Sequence, residues 1–312
     1  MDIKRTVPVI INGAKRSGNT LLQYLLDSVP GVFTFLDECY FLEYLYDIGE
    51  ENIQSFVEIQ KTANVKDLFE STRKRSLFHF YEQGYSPKGT VNTQHINVEY
   101  DLDKLISTLD EMQKKMDDNV LSVWEYWVSA VMRSMGQRID NKDFTVFKCP
   151  DYGKSMLSAI KYLNDPKVIV MVRDPLYAID SLKRSREIRN EKRLYLFELF
   201  NVINNYKFLL ETLNNINESK SKDRVMVIRY EDLTRNPLSV MQNLAGFTGI
   251  PFHPNMLEAT LNGEKWYGES SFSKFNGIST ESTTRDIRAL NAWERGYITD
   301  QLKDFNGYFG YE

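Results

Sequence analysis

Short apolar runs rich in β-branched residues alternate along this chain with helical patterns, and that alternation is the strongest constraint on what it can fold into. Val7–Ile11 (VPVII), Phe144–Lys148 (FTVFK), Val168–Val172 (VIVMV) and Arg224–Tyr230 (RVMVIRY) each lead toward a helix. Continuous Val/Ile runs separated by helices indicate strands buried on both faces, hence a parallel sheet covered by helices on either side. Between the first run and Phe144 lies a long helical section containing FLEYLYDI, DLFESTRKRSLFHFYEQ, DLDKLISTLDEMQKKM and NVLSVWEYWVSAVMRSM. In it Leu102, Leu105, Leu109, Met112 and Met116 recur at helical spacing, and Trp124, Trp127, Val131 and Met135 form a second stripe; both read as core. A chain of 312 residues suits one large α/β domain or two small ones. With no internal repeat and no low-complexity linker, one domain over 1–312 is expected, with its helical section at approximately 40–140.

The first strand runs into VPVIINGAKRSGNTLLQYLL, Val7–Leu26, which is nearly a nucleotide-triphosphate loop. Gly13 and Gly18 have the spacing of G-x-x-x-x-G-K-[ST] and Thr20 closes it, but Asn19 stands at the lysine position. Backbone N–H groups, the helix start and the Ser17 and Thr20 hydroxyls can still bind an anion. The cation that serves the second and third phosphates is gone. The loop therefore points to a ligand with a single phosphate at this place.

Composition limits the partners. The net charge of −4, from 39 basic and 43 acidic residues, offers no global field for nucleic acid, so any anion site must be local. The two cysteines, Cys39 and Cys149, are far apart and suit free thiols in a reducing compartment. Three scattered histidines, His79, His95 and His253, have no metal-ligand spacing, and no metal is expected. The apolar run after MDIKRT ends at Asn12, too early for a signal peptide, and no stretch is long enough for a membrane span. A cytoplasmic protein with no membrane and no nucleic-acid partner is expected; a homodimer is left open.

Two further segments repeat the strand-to-helix theme. VIVMVRDPLYAIDSLKRS ends its strand in Arg173, Asp174 and Pro175, with Ser181 in the helix that follows. An arginine at the carboxyl end of a parallel strand lies where α/β proteins bind ligands, and its fork suits a phosphate. The third segment is VMVIRYEDLTRNP, Val225–Pro237. Together the three resemble the sulfotransferase family that uses 3′-phosphoadenosine 5′-phosphosulfate. KRSGNTLL looks like that family's 5′-phosphosulfate loop, RDPLYAIDS like its 3′-phosphate motif and YEDL with NP like its later core strand, in order over most of the chain. The final YFGYE resembles the terminus of bacterial-type members.

The resemblance implies a P-loop-like three-layer α/β fold with a central parallel sheet, helices on both faces and a large helical insertion. It implies metal-independent in-line transfer of a sulfuryl group to a hydroxyl or amine of a small-molecule acceptor, releasing adenosine 3′,5′-bisphosphate. Arg16, Ser17, Gly18, Asn19, Thr20 and Leu21 would surround the 5′-phosphosulfate, with Arg16 stabilising charge on the leaving phosphate. Arg173 and Ser181 would hold the 3′-phosphate. Tyr230 matches an adenine-contacting tyrosine, though a core tyrosine reads equally well, and Phe272 in SSFSKF matches an aromatic that stacks on adenine. Where cytosolic members have Arg-Lys-Gly, this chain has TTRDIRALNAW; Arg285 and Arg288 are then candidates for the 3′-phosphate, or members of a solvated helix face.

Cytosolic members place a basic histidine after the strand matching FTVFK, and KCPDYG here has none. Other branches use a carboxylate after the first helix, where TFLDECYF supplies Glu38 and Asp37. Glu38 is the preferred base, with Asp37 and Asp151 behind it and structural carboxylates as the alternative. Lys148 matches a lysine near the family's active site and could assist the sulfuryl oxygens; Cys149 reads as buried rather than nucleophilic. The acidic run Asp37, Glu38, Glu43, Asp47, Glu50 and Glu51 leaves a cationic or polar acceptor open. Two rival readings remain, a P-loop kinase or NTPase and a catalytically silent nucleotide-binding module.

Overall fold

The computed structural model describes residues 5–74, 101–136, 141–188, 196–268 and 278–311. Phe272, His79 and His95 lie outside them. The first half of the chain runs β1 (Val7–Gly13), α1 (Asn19–Leu25), β2 (Val32–Glu38), α2 (Phe41–Ile48), α3 (Ile53–Thr62), α4 (Val65–Lys74), α5 (Leu102–Gln113) and α6 (Val120–Ser134). It continues through β3 (Phe144–Cys149), α7 (Lys154–Tyr162), β4 (Lys167–Val172), α8 (Pro175–Ile188), α9 (Leu196–Asn217), β5 (Val225–Arg229), α10 (Tyr230–Arg235) and α11 (Pro237–Thr248). A two-stranded ribbon, β6 (Thr260–Leu261) and β7 (Glu264–Lys265), precedes α12 (Glu281–Thr284), α13 (Ala292–Gln301) and α14 (Lys303–Phe309).

The main sheet has five parallel strands in the order β2-β3-β1-β4-β5. Alternation along the buried strands divides the core in two. Ile10, Val168, Val170 and Val172 face one layer, built by α2, α3, α5, α6, α7, α9 and α14. Val9, Ile11, Ile169 and Met171 face the other, built by α1, α10 and α11. This is the three-layer arrangement expected from strands apolar on both sides. Both stripes of the helical section are core: Leu105, Leu109, Trp124, Trp127 and Val131 are buried, and Met135 packs against them.

The chain leaves β1 toward β2 and β3 on one side of the sheet, and takes β4 and β5 on the other. The crevice at the carboxyl ends of β1 and β4 is therefore the topological switch point, where parallel α/β sheets bind ligands. Two details differ from the sequence expectation. A fifth strand, β2, carries Glu38, and the third segment's strand ends at Arg229, so that Tyr230 opens α10. No described helix is long and apolar enough to cross a membrane.

Candidate active site

At the end of β1 the backbone needs glycine for contact and for conformation. Gly13 has φ +133°, and a Cβ there would lie 2.1 Å from the Met171 carbonyl oxygen of β4. Arg16 is itself left-handed at φ 65°, a rare state for a residue with a side chain. Gly18, at φ +92°, lies under Tyr230: a Cβ would come 2.4 Å from that ring's Cδ2. The Ser17 N–H donates to Ala14 O at 3.3 Å. The Asn19 side-chain amide donates to the same carbonyl at 2.8 Å and is buried. The residue that replaces the triphosphate lysine is thus a brace across the loop. The buried Tyr152 phenol meets the Lys15 N–H, and burial pushes the Tyr152 and Tyr206 phenols up from their ordinary pKa; the Ser17 and Tyr206 hydroxyls are buried with no hydrogen-bond partner among the described residues.

The turn after β1 and the start of α8 meet directly. Arg16 Nε donates to Ser181 Oγ at 3.2 Å. Arg173 is buried; its Nη1 donates to Arg16 O at 3.1 Å, its Nη2 donates to Ser282 O, and its guanidinium carbon sits 4.6 Å from the Tyr230 ring centroid. The Tyr230 hydroxyl shares a 2.6 Å hydrogen bond with Ser282 Oγ. Arg285 joins this group from the C-terminal segment. Its pKa is pushed down to about 10, first by burial and then by the neighbouring cations Arg173, Arg184 and Arg16, with Asp180 opposing. Arg285, Arg173, Arg184 and Arg16 bring four guanidinium groups together here, with Asp180 beside them. Arg173 Nε, buried there, has no hydrogen-bond partner among the described residues. Such a cluster fits a phosphate dianion.

A second cluster forms on the other side of the loop. Lys148 Nζ, at the end of β3, donates to Thr20 Oγ1 at 3.1 Å and lies 3.6 Å from Glu38 Oε1. The Tyr40 hydroxyl donates to Glu38 Oε2. Glu38 reaches Lys148 because β2 is irregular. Thr34 pairs with Val146 but the next pair is Glu38 with Lys148, so the strand bulges between them. The side chains of Gln23 and Tyr24 on α1 donate to the bulged carbonyls of Phe35 and Leu36. A bulge beside a site re-aims a side chain at small cost, and here it turns Glu38 toward the phosphate loop.

The other sequence candidates sort by burial and bonding. Leu21 is buried in the core, so only its backbone can face a ligand. Arg288 is exposed and pairs with Asp286 at 3.0 Å, outside the arginine cluster. Asp151, the reserve base, is buried and saturated. Its Oδ1 accepts from Asn12 Nδ2 at 2.7 Å, Gly153 N at 3.3 Å and Ser155 N at 3.1 Å, and its Oδ2 accepts from the Ser155 hydroxyl. That geometry caps α7 and ties it to β1, leaving no lone pair for an acceptor proton. Asp151→Ala is expected to lower stability by about 1–3 kcal/mol, the cost of stranding buried donors, seen as a lower urea midpoint with donor affinity little changed. Cys149 and Cys39 are buried free thiols, and burial raises Cys149 well above its ordinary pKa.

Sequence reading missed Arg184, Asp180, Gln23 and Tyr206. For the first two a signal existed: in the helix after RDP, Arg184 lies four residues beyond Asp180 and three beyond Ser181, spacings that bring it beside each of them. Gln23 and Tyr206 act through pairings no local spacing reveals. Among the described residues, no three of His, Cys, Asp and Glu gather as a metal site.

Buried Glu231 explains why the third motif and the C-terminus belong together. It accepts from Asp174 N at 3.2 Å and from the Tyr311 hydroxyl at 3.2 Å, while the Arg229 guanidinium carbon lies 4.7 Å from the centre of the Tyr311 ring. RDP, YEDL and the terminal tyrosine form one joint at the sheet edge.

The same architecture is found in solved structures. The sulfotransferase domain from the Synechococcus PCC 7002 olefin synthase superposes with a TM-score of 0.53 at 17% identity, covering 97% of each chain. The sulfotransferase domain from the curacin biosynthetic pathway gives 0.52 at 20% identity, covering 96% of this chain and 98% of that one. At such identities the likeness is one of fold. No curated protein matches the chain. The sequence model described as "Sulfotransferase family" matches residues 8–254, from β1 past β5, a span that includes both phosphate motifs, Glu38 and Lys148, and the chain belongs to the sulfotransferase family.

Proposed function

We propose that this protein transfers a sulfuryl group from 3′-phosphoadenosine 5′-phosphosulfate to a hydroxyl or amine of a small-molecule acceptor. The observation that carries the reading is the meeting of Arg16, Arg173, Ser181 and Arg285 at the switch point, with Lys148 and Glu38 on the far side of the same loop. One cluster suits the separate 3′-phosphate, the other the reacting sulfuryl. In this reading Glu38 takes the acceptor proton as the acceptor's oxygen or nitrogen bonds to sulfur. The bond from sulfur to the bridging phosphate oxygen breaks, and Arg16 and Lys148 meet the charge that moves onto that oxygen and the sulfuryl oxygens. Arginine holds its proton firmly, so the role of Arg16 is electrostatic. Tyr230, with Arg173 stacked on its face, is suited to line the adenine. The buried free thiols are consistent with a reducing, cytoplasmic setting.

A triphosphate-dependent kinase is disfavoured by Asn19, whose amide is spent on Ala14 O. Activity is accordingly expected to survive EDTA, because one phosphate flanked by fixed cations needs no magnesium. Loss in EDTA with recovery on adding magnesium would favour the kinase. The function itself is tested by an acceptor screen with labelled donor, read by mass for sulfated product, alongside calorimetry with adenosine 3′,5′-bisphosphate. Tight binding without turnover across a broad acceptor panel would identify a silent nucleotide-binding module instead.

A further inference from the structure

Asp180 is a buried carboxylate that acts on Arg285. Its Oδ1 accepts two backbone N–H groups from across the chain, Arg288 at 3.0 Å and Ala289 at 2.7 Å. Its Oδ2 accepts no hydrogen bond among the described residues, and it lies 4.0 Å from Arg285 Nη2 and 3.8 Å from Arg184 Nη1. The adjacent residue is Ser181, whose hydroxyl accepts from Arg16. One side chain thus holds the C-terminal segment by one oxygen and faces two arginines with the other.

A further tie to α8 comes where α13 begins. There Asn291 and Glu294 form a capping box, and Glu294 also pairs with Lys183 at 2.8 Å. Upstream, Ser282 is held by Arg173 and Tyr230. Between these anchors Asp180 sets where Arg285 comes to rest.

We propose that Asp180 is a positioning residue of the nucleotide site, mooring residues 285–289 so that Arg285 stays beside Arg173 and Arg184, and competing, through its own charge, with a ligand's phosphate for Arg285 and Arg184. This rests on the donor reading above. It separates two effects of one carboxylate. Asparagine keeps an oxygen for the two N–H groups and removes the charge, whereas alanine removes both.

The test is calorimetry on the full chain with adenosine 3′,5′-bisphosphate and, as control, adenosine 5′-monophosphate, which lacks the 3′-phosphate. Asp180→Asn is expected to bind the bisphosphate about three- to tenfold more tightly, since a negative charge near the phosphate site has gone. Asp180→Ala is expected to bind it about tenfold more weakly, because Arg285 is no longer held in place. Neither change should alter monophosphate binding. A merely structural carboxylate would shift both ligands together and in one direction. Amide hydrogen exchange at Arg288 and Ala289 supplies the second measurement: protection should fall in the alanine variant while β1 and β4 stay protected. If the alanine variant does not fold, the asparagine variant decides alone. Wild-type affinity in that variant, or equal changes for both nucleotides, overturns the proposal. Failure of the wild type to bind the bisphosphate would overturn the donor reading as well, which the variants by themselves cannot do.

Discussion

Glu38→Gln is expected to lower turnover by on the order of 10²–10⁴ while leaving donor affinity near wild type. The substitution keeps the shape and a hydrogen-bonding oxygen for Tyr40, but an amide cannot accept the acceptor's proton. Lys148 lies 3.6 Å away and stays bonded to Thr20, so the phosphate loop should be undisturbed. The loss corresponds to roughly 3–5.5 kcal/mol of transition-state stabilisation. It is read in single-turnover kinetics with an alcohol or a protonated amine as acceptor, since an already deprotonated nucleophile needs no base. Full turnover with chemistry as the slow step would remove Glu38 from the role. The base would then be Asp37, His79 or His95, because Asp151 has its oxygens occupied.

Arg173→Ala is expected to weaken donor binding by roughly ten- to hundredfold, the scale of one or two charge-assisted hydrogen bonds. This arginine also joins three parts of the site: the loop through Arg16 O, the C-terminal segment through Ser282 O, and the face of Tyr230. Arg173→Lys is therefore expected to restore little, since an ammonium has one point of charge where the guanidinium has a planar fork. Arg16→Ala should differ in kind, lowering turnover more than donor affinity, because its work is on the leaving group. Unchanged donor affinity in the Arg173 variant would sink the assignment.

The strand-to-helix turns that gather at the switch point were largely legible in the sequence, and the pairings around Glu38 were not. Gly13, Arg16, Gly18, Arg173 and Ser181 belong to short segments in which a strand hands over to a helix, so their spacing encodes their geometry. Arg285 could be named only as a candidate beside Arg288, because a segment without regular periodicity does not show which side chain turns inward. The structure separates them: Arg285 faces the arginine cluster and Arg288 pairs with Asp286 in solvent. Strand β2 escaped sequence reading because its run, VFTFLDE, contains a bulge that breaks the alternation on which strand recognition depends.

Local chemistry in the chain was enough to establish a parallel α/β sheet, a glycine-bounded turn from strand to helix and an arginine at a strand's carboxyl end. Each depends on residues within about one turn or one strand of each other, where backbone geometry leaves few alternatives. The pairings that make a site are of another order. Arg16 with Ser181, Lys148 with Glu38, and Asp180 with the amides of Arg288 and Ala289 join residues more than a hundred positions apart. They exist because the strand order puts β1 between β3 and β4 and because helices α1 and α8 start from neighbouring strands. Such contacts come from burying two apolar sheet faces at once, a long-range packing result that no window of sequence contains.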